Sequence, residues 1–136
     1  MVVGSTALAH AQPARVYTRA DTLRGSYTAP GRAWWDVTFY DLHVAINPAD
    51  SSVRGYNRIT YRVLEVPAAA ELQIDLMRPL EIDSVTQDAR PQRFRREGSA
   101  FFVTLSTRPI ANSSQTLTVH YHGRPPIAKQ IGRAHV

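Results

Sequence analysis

Residues 36–47 read DVTFYDLHVAIN, and the spacing within this stretch decides the class of fold. Tyr40, Leu42, Val44 and Ile46 fall at every second position, with Asp41, His43, Ala45 and Asn47 between them. Successive side chains of an extended chain point to opposite faces, so a period of two separates an apolar face from a polar one and marks a half-buried strand. Asn47-Pro48-Ala49-Asp50-Ser51-Ser52 follows. Its proline fixes φ and its Asn and Asp side chains can bond their own backbone, so the chain turns. From Arg54 to Leu64, Ile59, Tyr61 and Val63 then alternate with Arg58, Thr60 and Arg62, and the two segments are expected to pair as an antiparallel hairpin.

The same period continues outward. Leu72, Ile74 and Leu76 alternate with Gln73 and Asp75 until Arg78-Pro79, where proline removes a ladder donor. Leu80, Ile82 and Val85 slip by one residue, which predicts a strand with a bulge. Residues 92–96 and 100–106 flank Glu97-Gly98-Ser99, a short glycine-containing loop of the kind that closes hairpins. Last, Leu117, Val119 and Tyr121 oppose Thr116, Thr118, His120 and His122. The helix-friendly run Ala68-Ala69-Ala70-Glu71 is too short to nucleate. The reading is all-β: an antiparallel β-sandwich or saddle-like sheet of about seven strands, incomplete as a domain.

Composition sets the outer limits. A chain of 136 residues holds one domain with a core, and 43% hydrophobic with 20% charged residues fits a globular protein. No apolar run reaches the roughly eighteen residues of a membrane helix. The net charge of +5 raises the question of nucleic acid, but the basic residues are spread out, and the one cluster, Arg90, Arg93, Arg95 and Arg96, divides between two faces of an extended segment. No nucleic-acid partner is expected. The absence of cysteine removes disulfides and thiolate chemistry. At the start, VVGSTALAHA at 2–11 ends in Ala9-His10-Ala11, with small residues at the −3 and −1 positions that a signal peptidase accepts, so 1–11 reads as the remnant of a signal peptide and the location as secreted or periplasmic. Residues 12–33 show no sustained period and several turn formers, and read as an extended linker.

Candidates for chemistry are few. His120 and His122 share a strand face and could offer two imidazoles to one metal, with His43 as a third; the plainer reading, that they line a solvated face beside Thr116 and Thr118, is preferred. Asp36 and Asp41, five apart on one strand, are expected to face opposite sides and so cannot pair as acid and base. Whether Asp75 and Asp83 meet is open. Trp34, Trp35, Tyr40, Tyr56 and Tyr61 could form a platform for a sugar or peptide, although core packing is the commoner use of such residues. No G-x-S-x-G, G-x-G-x-x-G, P-loop or H-E-x-x-H occurs, so no catalytic, cofactor-binding or metal-ligating residue is assigned.

The ordered series DVTFYDL (36–42), IDL (74–76), LEIDSV (80–85), RFRREG (93–98), FFVTL (101–105) and VHYHGRPPIA (119–128) resembles the opening portion of the N-terminal domain of the aminopeptidase N family of zinc metallopeptidases, particularly its bacterial secreted members. The resemblance spans about Trp34 to Ala128, within a partial N-terminal β domain placed at 34–130. It implies a saddle-shaped β domain that packs on a separate catalytic domain of the same polypeptide and helps enclose the peptide substrate channel. Zinc is then expected in that catalytic domain, held by H-E-x-x-H and a later Glu, with a G-x-M-E-N loop for the substrate's amine. Neither motif is present here, so no such role is carried to any residue, and the chain alone is expected to be inactive. Tyr121, His122 and Gly123 match positions that the resemblance implies are structural. The last six residues, IGRAHV (131–136), are what a common sequencing-adapter string would encode, and are expected to be an artefact. The alternative reading is a free-standing secreted β-sandwich module that binds peptide or glycan through its aromatic residues.

Overall fold

The computed structural model describes residues 18–127, together with Ala14 and Val16. The expected leader remnant at 1–11 and the adapter-like residues 131–136 lie outside the described residues. A short helix, α1 (Arg19–Leu23), precedes the strands β1 (Trp35–Asn47), β2 (Ser52–Val63), β3 (Glu71–Asp75), β4 (Glu81–Gln87), β5 (Arg90–Pro91), β6 (Arg93–Glu97), β7 (Ala100–Thr104) and β8 (Ser114–Gly123). They make two antiparallel sheets, a large one in the order β1-β2-β8-β4-β5 and a small one in the order β3-β7-β6. The fold is the expected all-β one. The strand beyond the expected seven is β5, whose two residues oppose Thr86 and Gln87 and are too few to show a period.

The turn chemistry works as the residue types require. Between β1 and β2, Asn47 Oδ1 accepts from the Ala49 amide at 3.1 Å and Asp50 Oδ1 from the Ser52 amide at 3.0 Å. Hydrogen bonds from the Ser52 side chain and backbone hold the Asp50 carboxyl below its ordinary value. The β6–β7 hairpin closes between Glu97 and Ala100, with Gly98 at φ 61°, a left-handed conformation suited to a two-residue turn.

Two bulges shape the large sheet. The one foreseen in β4 falls between Ile82 and Ser84. A second, between Val37 and Phe39, was not legible. It reverses the alternation within β1, so that Trp35 and Val37 lie on the same face as Tyr40 and Leu42. One expectation is thereby corrected: Asp36 and Asp41 sit on the same face, because the extra residue at Thr38 restores the parity that a spacing of five would break. They remain five residues apart along the strand, and Asp41 is engaged by His43 at 2.9 Å and Arg58 at 3.5 Å.

The core lies between the sheets. Ile59, Tyr61 and Val63 of β2, Ile82 and Val85 of β4, and Leu117 and Val119 of β8 meet Leu72 and Ile74 of β3, Phe101 and Val103 of β7, and Leu105 and Trp34. Trp34 is fixed at its polar end, where Nε1 donates to the Glu71 carbonyl at 3.0 Å, and its ring meets Tyr61 edge-on with centroids 6.2 Å apart. The Tyr61 hydroxyl donates to Gln87 Oε1 at 2.8 Å, so this buried phenol is satisfied. Within 12–33, read from sequence as linker, the structure has α1 and a turn that packs on the small sheet. Leu23 covers Ala100 and Phe102, Gln73 Nε2 donates to the Leu23 carbonyl at 2.8 Å, and Arg32 pairs with Asp75 at 2.6 Å. The single apolar residue that does the packing leaves no period to read.

Candidate functional site

The small sheet covers only part of the large sheet's inner face, and the uncovered part is the candidate site. The strand register defines its rows. Leu42, Asn57, Val119 and Val85 stand side by side across β1, β2, β8 and β4; Val44, Gly55, Tyr121 and Ile82 form the next row; Ile46, Val53 and Gly123 close the end. At the covered end of this face Ile59 and Leu117 are buried, but Tyr40, Leu42, Val44 and Ile46 are 58%, 60%, 45% and 69% exposed. The half-buried strand expected at 36–47 therefore has its apolar residues on the predicted face, with that face left open to solvent. Tertiary context decided this, since periodicity reports which side a residue faces and not whether a second layer reaches it.

Where the small sheet ends, a cavity of about 260 Å³ opens, lined by Leu42, Ile74, Leu76, Leu80, Ile82 and Tyr121 together with the polar Asn57 and Asp75. Asn57 is the polar residue within the large sheet's inner-face rows, and its Oδ1 is buried without a hydrogen-bond partner. Partial burial pushes the Tyr121 phenol above its ordinary value. Two glycines let the backbones approach here. A Cβ on Gly55 would lie 2.0 Å from the His43 carbonyl oxygen, and Gly123, at φ 147°, leaves room for Leu80, which a Cβ would meet at 2.9 Å. The strand pattern contains both glycines but does not reveal these approaches.

The opposite, outer face is polar and internally paired. Thr60 and Thr116 hydroxyls lie 3.2 Å apart, and Arg58 sits 5.3 Å from the Tyr56 ring centroid. His43, Tyr56 and His120 line up across three strands, with His43 stacked on Tyr56 at 4.4 Å and Tyr56 tilted against His120 at 5.4 Å. The Tyr56 ring thus separates His43 from His120, and the three imidazoles do not share one ligand set. Among the described residues no group of three or more His, Asp or Glu is arranged to hold a metal. Asp75 and Asp83 do not meet: Asp75 binds Arg32 and the Gly25 amide, and Asp83 binds His122.

The aromatic residues do not assemble into a platform. Trp34 and Tyr61 are in the core, Trp35 is half-buried against Tyr61, Tyr40 is on the inner face and Tyr56 on the outer. The arginines of β6 also part company. Arg95 lies over Phe102 and pairs with Glu71 at 3.0 Å, while Arg96 lies over Phe101, pairs with Glu81 at 2.6 Å and donates to the Leu80 carbonyl at 2.9 Å.

The fold is similar to part of several solved structures. The M1 zinc metallopeptidase of Deinococcus radiodurans, in its E323A mutant form, superposes with a TM-score of 0.62 and 21% identity over 76% of this chain and 24% of that one. A form of M1 zinc metallopeptidase described as two-domain and bound to L-arginine gives 0.61 and 21% over 74% and 23%. Leukotriene A4 hydrolase of Saccharomyces cerevisiae gives 0.57 and 17% over 79% and 19%. The chain thus spans about a quarter or less of the length of these proteins, and what they share with it at this identity is the fold. No family model matches, and no curated protein matches.

Proposed function

We propose that this chain is the non-catalytic N-terminal β domain of a secreted zinc metallopeptidase of aminopeptidase type, and that it packs on the catalytic domain of the same polypeptide and helps enclose the peptide substrate channel. The observation that carries this reading is the uncovered inner face. Leu42, Val44 and Ile46 continue the core's own surface, on the same side of the same sheet as Ile59 and Val119, into solvent. A contiguous apolar surface of this kind marks a contact with another protein layer. The fold's likeness to a quarter of M1 zinc metallopeptidases supports a layer supplied by the remaining length of such a polypeptide. The zinc, and the residues that polarise a water with it, belong in this reading to the catalytic domain.

The alternative, a free-standing module that binds peptide or glycan through an aromatic face, loses support because its five aromatics divide among the core and two opposite faces. Independent sequencing of the locus downstream of the codon for Gln130 tests the proposal. An open frame running into G-x-M-E-N and H-E-x-x-H is expected, and a stop codon there refutes it. The extended polypeptide should hydrolyse an aminoacyl p-nitroanilide in a zinc-dependent way, and the 136-residue chain should not.

A further inference from the structure

The outer face of the large sheet takes no part in the docking described above, yet it holds two imidazoles that each have one ring nitrogen engaged by β4. His120 and His122 are two residues apart on β8 and share that face. The β4 bulge brings Asp83 and Ser84, neighbours in sequence, to the same pair of rings. Ser84 stands opposite His120 with its Oγ 3.3 Å from His120 Nδ1, and Asp83 Oδ1 lies 2.5 Å from His122 Nδ1. An ionised carboxylate only accepts, so Asp83 holds the His122 proton at Nδ1 and leaves the lone pair of the neutral ring at Nε2. Neither Nε2 has a protein partner among the described residues.

A ring N–H anchored by a carboxylate, with the other nitrogen left free, is how proteins set the tautomer and aim of a metal-binding histidine, and the Ser84 hydroxyl, which can accept as well as donate, is able to hold His120 in the same tautomer. Strand geometry puts residues i and i+2 about 6.5–7 Å apart, a span that two imidazole arms can close around one ion with bonds of about 2.0–2.1 Å. We propose that His120 and His122 form a two-imidazole chelate for a late first-row divalent transition ion, with water filling the other positions. Imidazole suits Cu²⁺, Ni²⁺ and Zn²⁺, and the general order of stabilities places Cu²⁺ first. Among the described residues no third protein ligand joins them. Glu81, opposite His122 in register, is held by Arg96 at 2.6 Å, and His43 lies beyond Tyr56. Arg54, opposite His122 on β2, places a positive charge beside the pair and weakens the site.

The test is calorimetric titration of CuCl₂ and NiCl₂ into the full chain with His10 and His135 replaced by Ala, which removes the two histidines outside the described residues. One ion per chain is expected, with Cu²⁺ bound more tightly than Ni²⁺. His120→Gln and His122→Gln should each weaken Cu²⁺ binding tenfold or more, and Asp83→Asn about tenfold as the loss of an anchoring partner. His43→Gln should leave binding unchanged, and Arg54→Gln should strengthen it. Far-ultraviolet circular dichroism confirms that each variant is folded. Electron paramagnetic resonance of the Cu²⁺ complex should show two equatorial imidazole nitrogens, and one in either single variant. Stoichiometric binding that survives both single substitutions, an equal loss in His43→Gln, or no binding below millimolar Cu²⁺ overturns the proposal.

Discussion

Replacing Leu42, Val44 and Ile46 together by threonine should cost much less stability in the isolated chain than in the polypeptide extended by its covering layer. Full burial of one such side chain is worth about 1.5–3 kcal/mol. The three are 60%, 45% and 69% exposed in this chain. A covering layer therefore gains on the order of 3–5 kcal/mol from them, and the triple variant forfeits most of that gain. In the isolated chain only the parts already buried are at stake. Threonine keeps the β-branch of Val44 and Ile46 and suits a strand at all three positions, so the loss there should be on the order of 1–2 kcal/mol. Urea denaturation of the two proteins, with and without the substitutions, measures both numbers. Sedimentation velocity adds a third readout, since the wild-type isolated chain should self-associate through this face and the triple variant should sediment as a monomer. A wild-type chain that stays monomeric at tens of micromolar and binds no hydrophobic dye would refute the reasoning. So would a loss above about 4 kcal/mol in the isolated chain, which would mean that the face is already core.

Three further outcomes follow from single residues. Burial above all, with the nearby Asp88 charge adding to it, pushes the Tyr61 phenol up to about 12 from 10.0. Because the folded state holds this proton more tightly, the contribution is complete below pH 10 and is lost as pH rises through 12. Stability should fall by on the order of 2 kcal/mol across that window, read as the denaturant midpoint against pH, and Tyr61→Phe should flatten that part of the profile. Asn57→Leu removes a buried acceptor without a partner and should stabilise the chain by about 1–2 kcal/mol; an unchanged or lower melting temperature would show that Asn57 is satisfied. Gly55→Ala sets a Cβ 2.0 Å from a backbone oxygen that cannot move without unpairing β1, so a loss at or above the top of the usual overpacking range of about 1–3 kcal/mol is expected, together with faster hydrogen exchange confined to β1 and the middle of β2.

The strands were legible where a side-chain period could run for five residues or more. β1, β2, β3 and β8 follow from alternation alone, and the β4 bulge from a slip of one residue between Ile82 and Val85. What escaped has a physical reason in each case. β5 is two residues long. The bulge at Thr38 sits among Val37, Thr38 and Phe39, all good strand formers, so no breaker announces it. α1 is held by Leu23 on Phe102 and by a side-chain bond from Gln73, contacts fifty or more residues away in sequence. For the candidate site, the pattern showed which residues share a face, including Leu42 with Ile46 and His120 with His122. It could not show that the small sheet leaves Leu42, Val44 and Ile46 uncovered, nor that Asp83 and Ser84 would each engage one histidine, because both depend on how the layers and bulges meet in space.

The two faces of the large sheet differ in a way that bears on where the rest of the polypeptide would sit. On the outer face polar groups have found each other: Thr60 with Thr116, Asp41 with Arg58 and His43, Asp83 with His122. Such a surface is already finished against water, and covering it would cost the desolvation of several charged groups for little apolar gain. The inner face is unfinished by the same measure. It ends in exposed Leu42, Val44 and Ile46 and in a buried Asn57 oxygen without a donor. A second layer therefore gains most by extending the β3-β7-β6 sheet sideways over β1 and β2, bringing apolar groups to the three aliphatic residues and one donor to Asn57. Direction follows from this asymmetry: a partner layer that docked on the histidine-bearing face instead, leaving Leu42 exposed, would contradict the reading of the inner face as the contact.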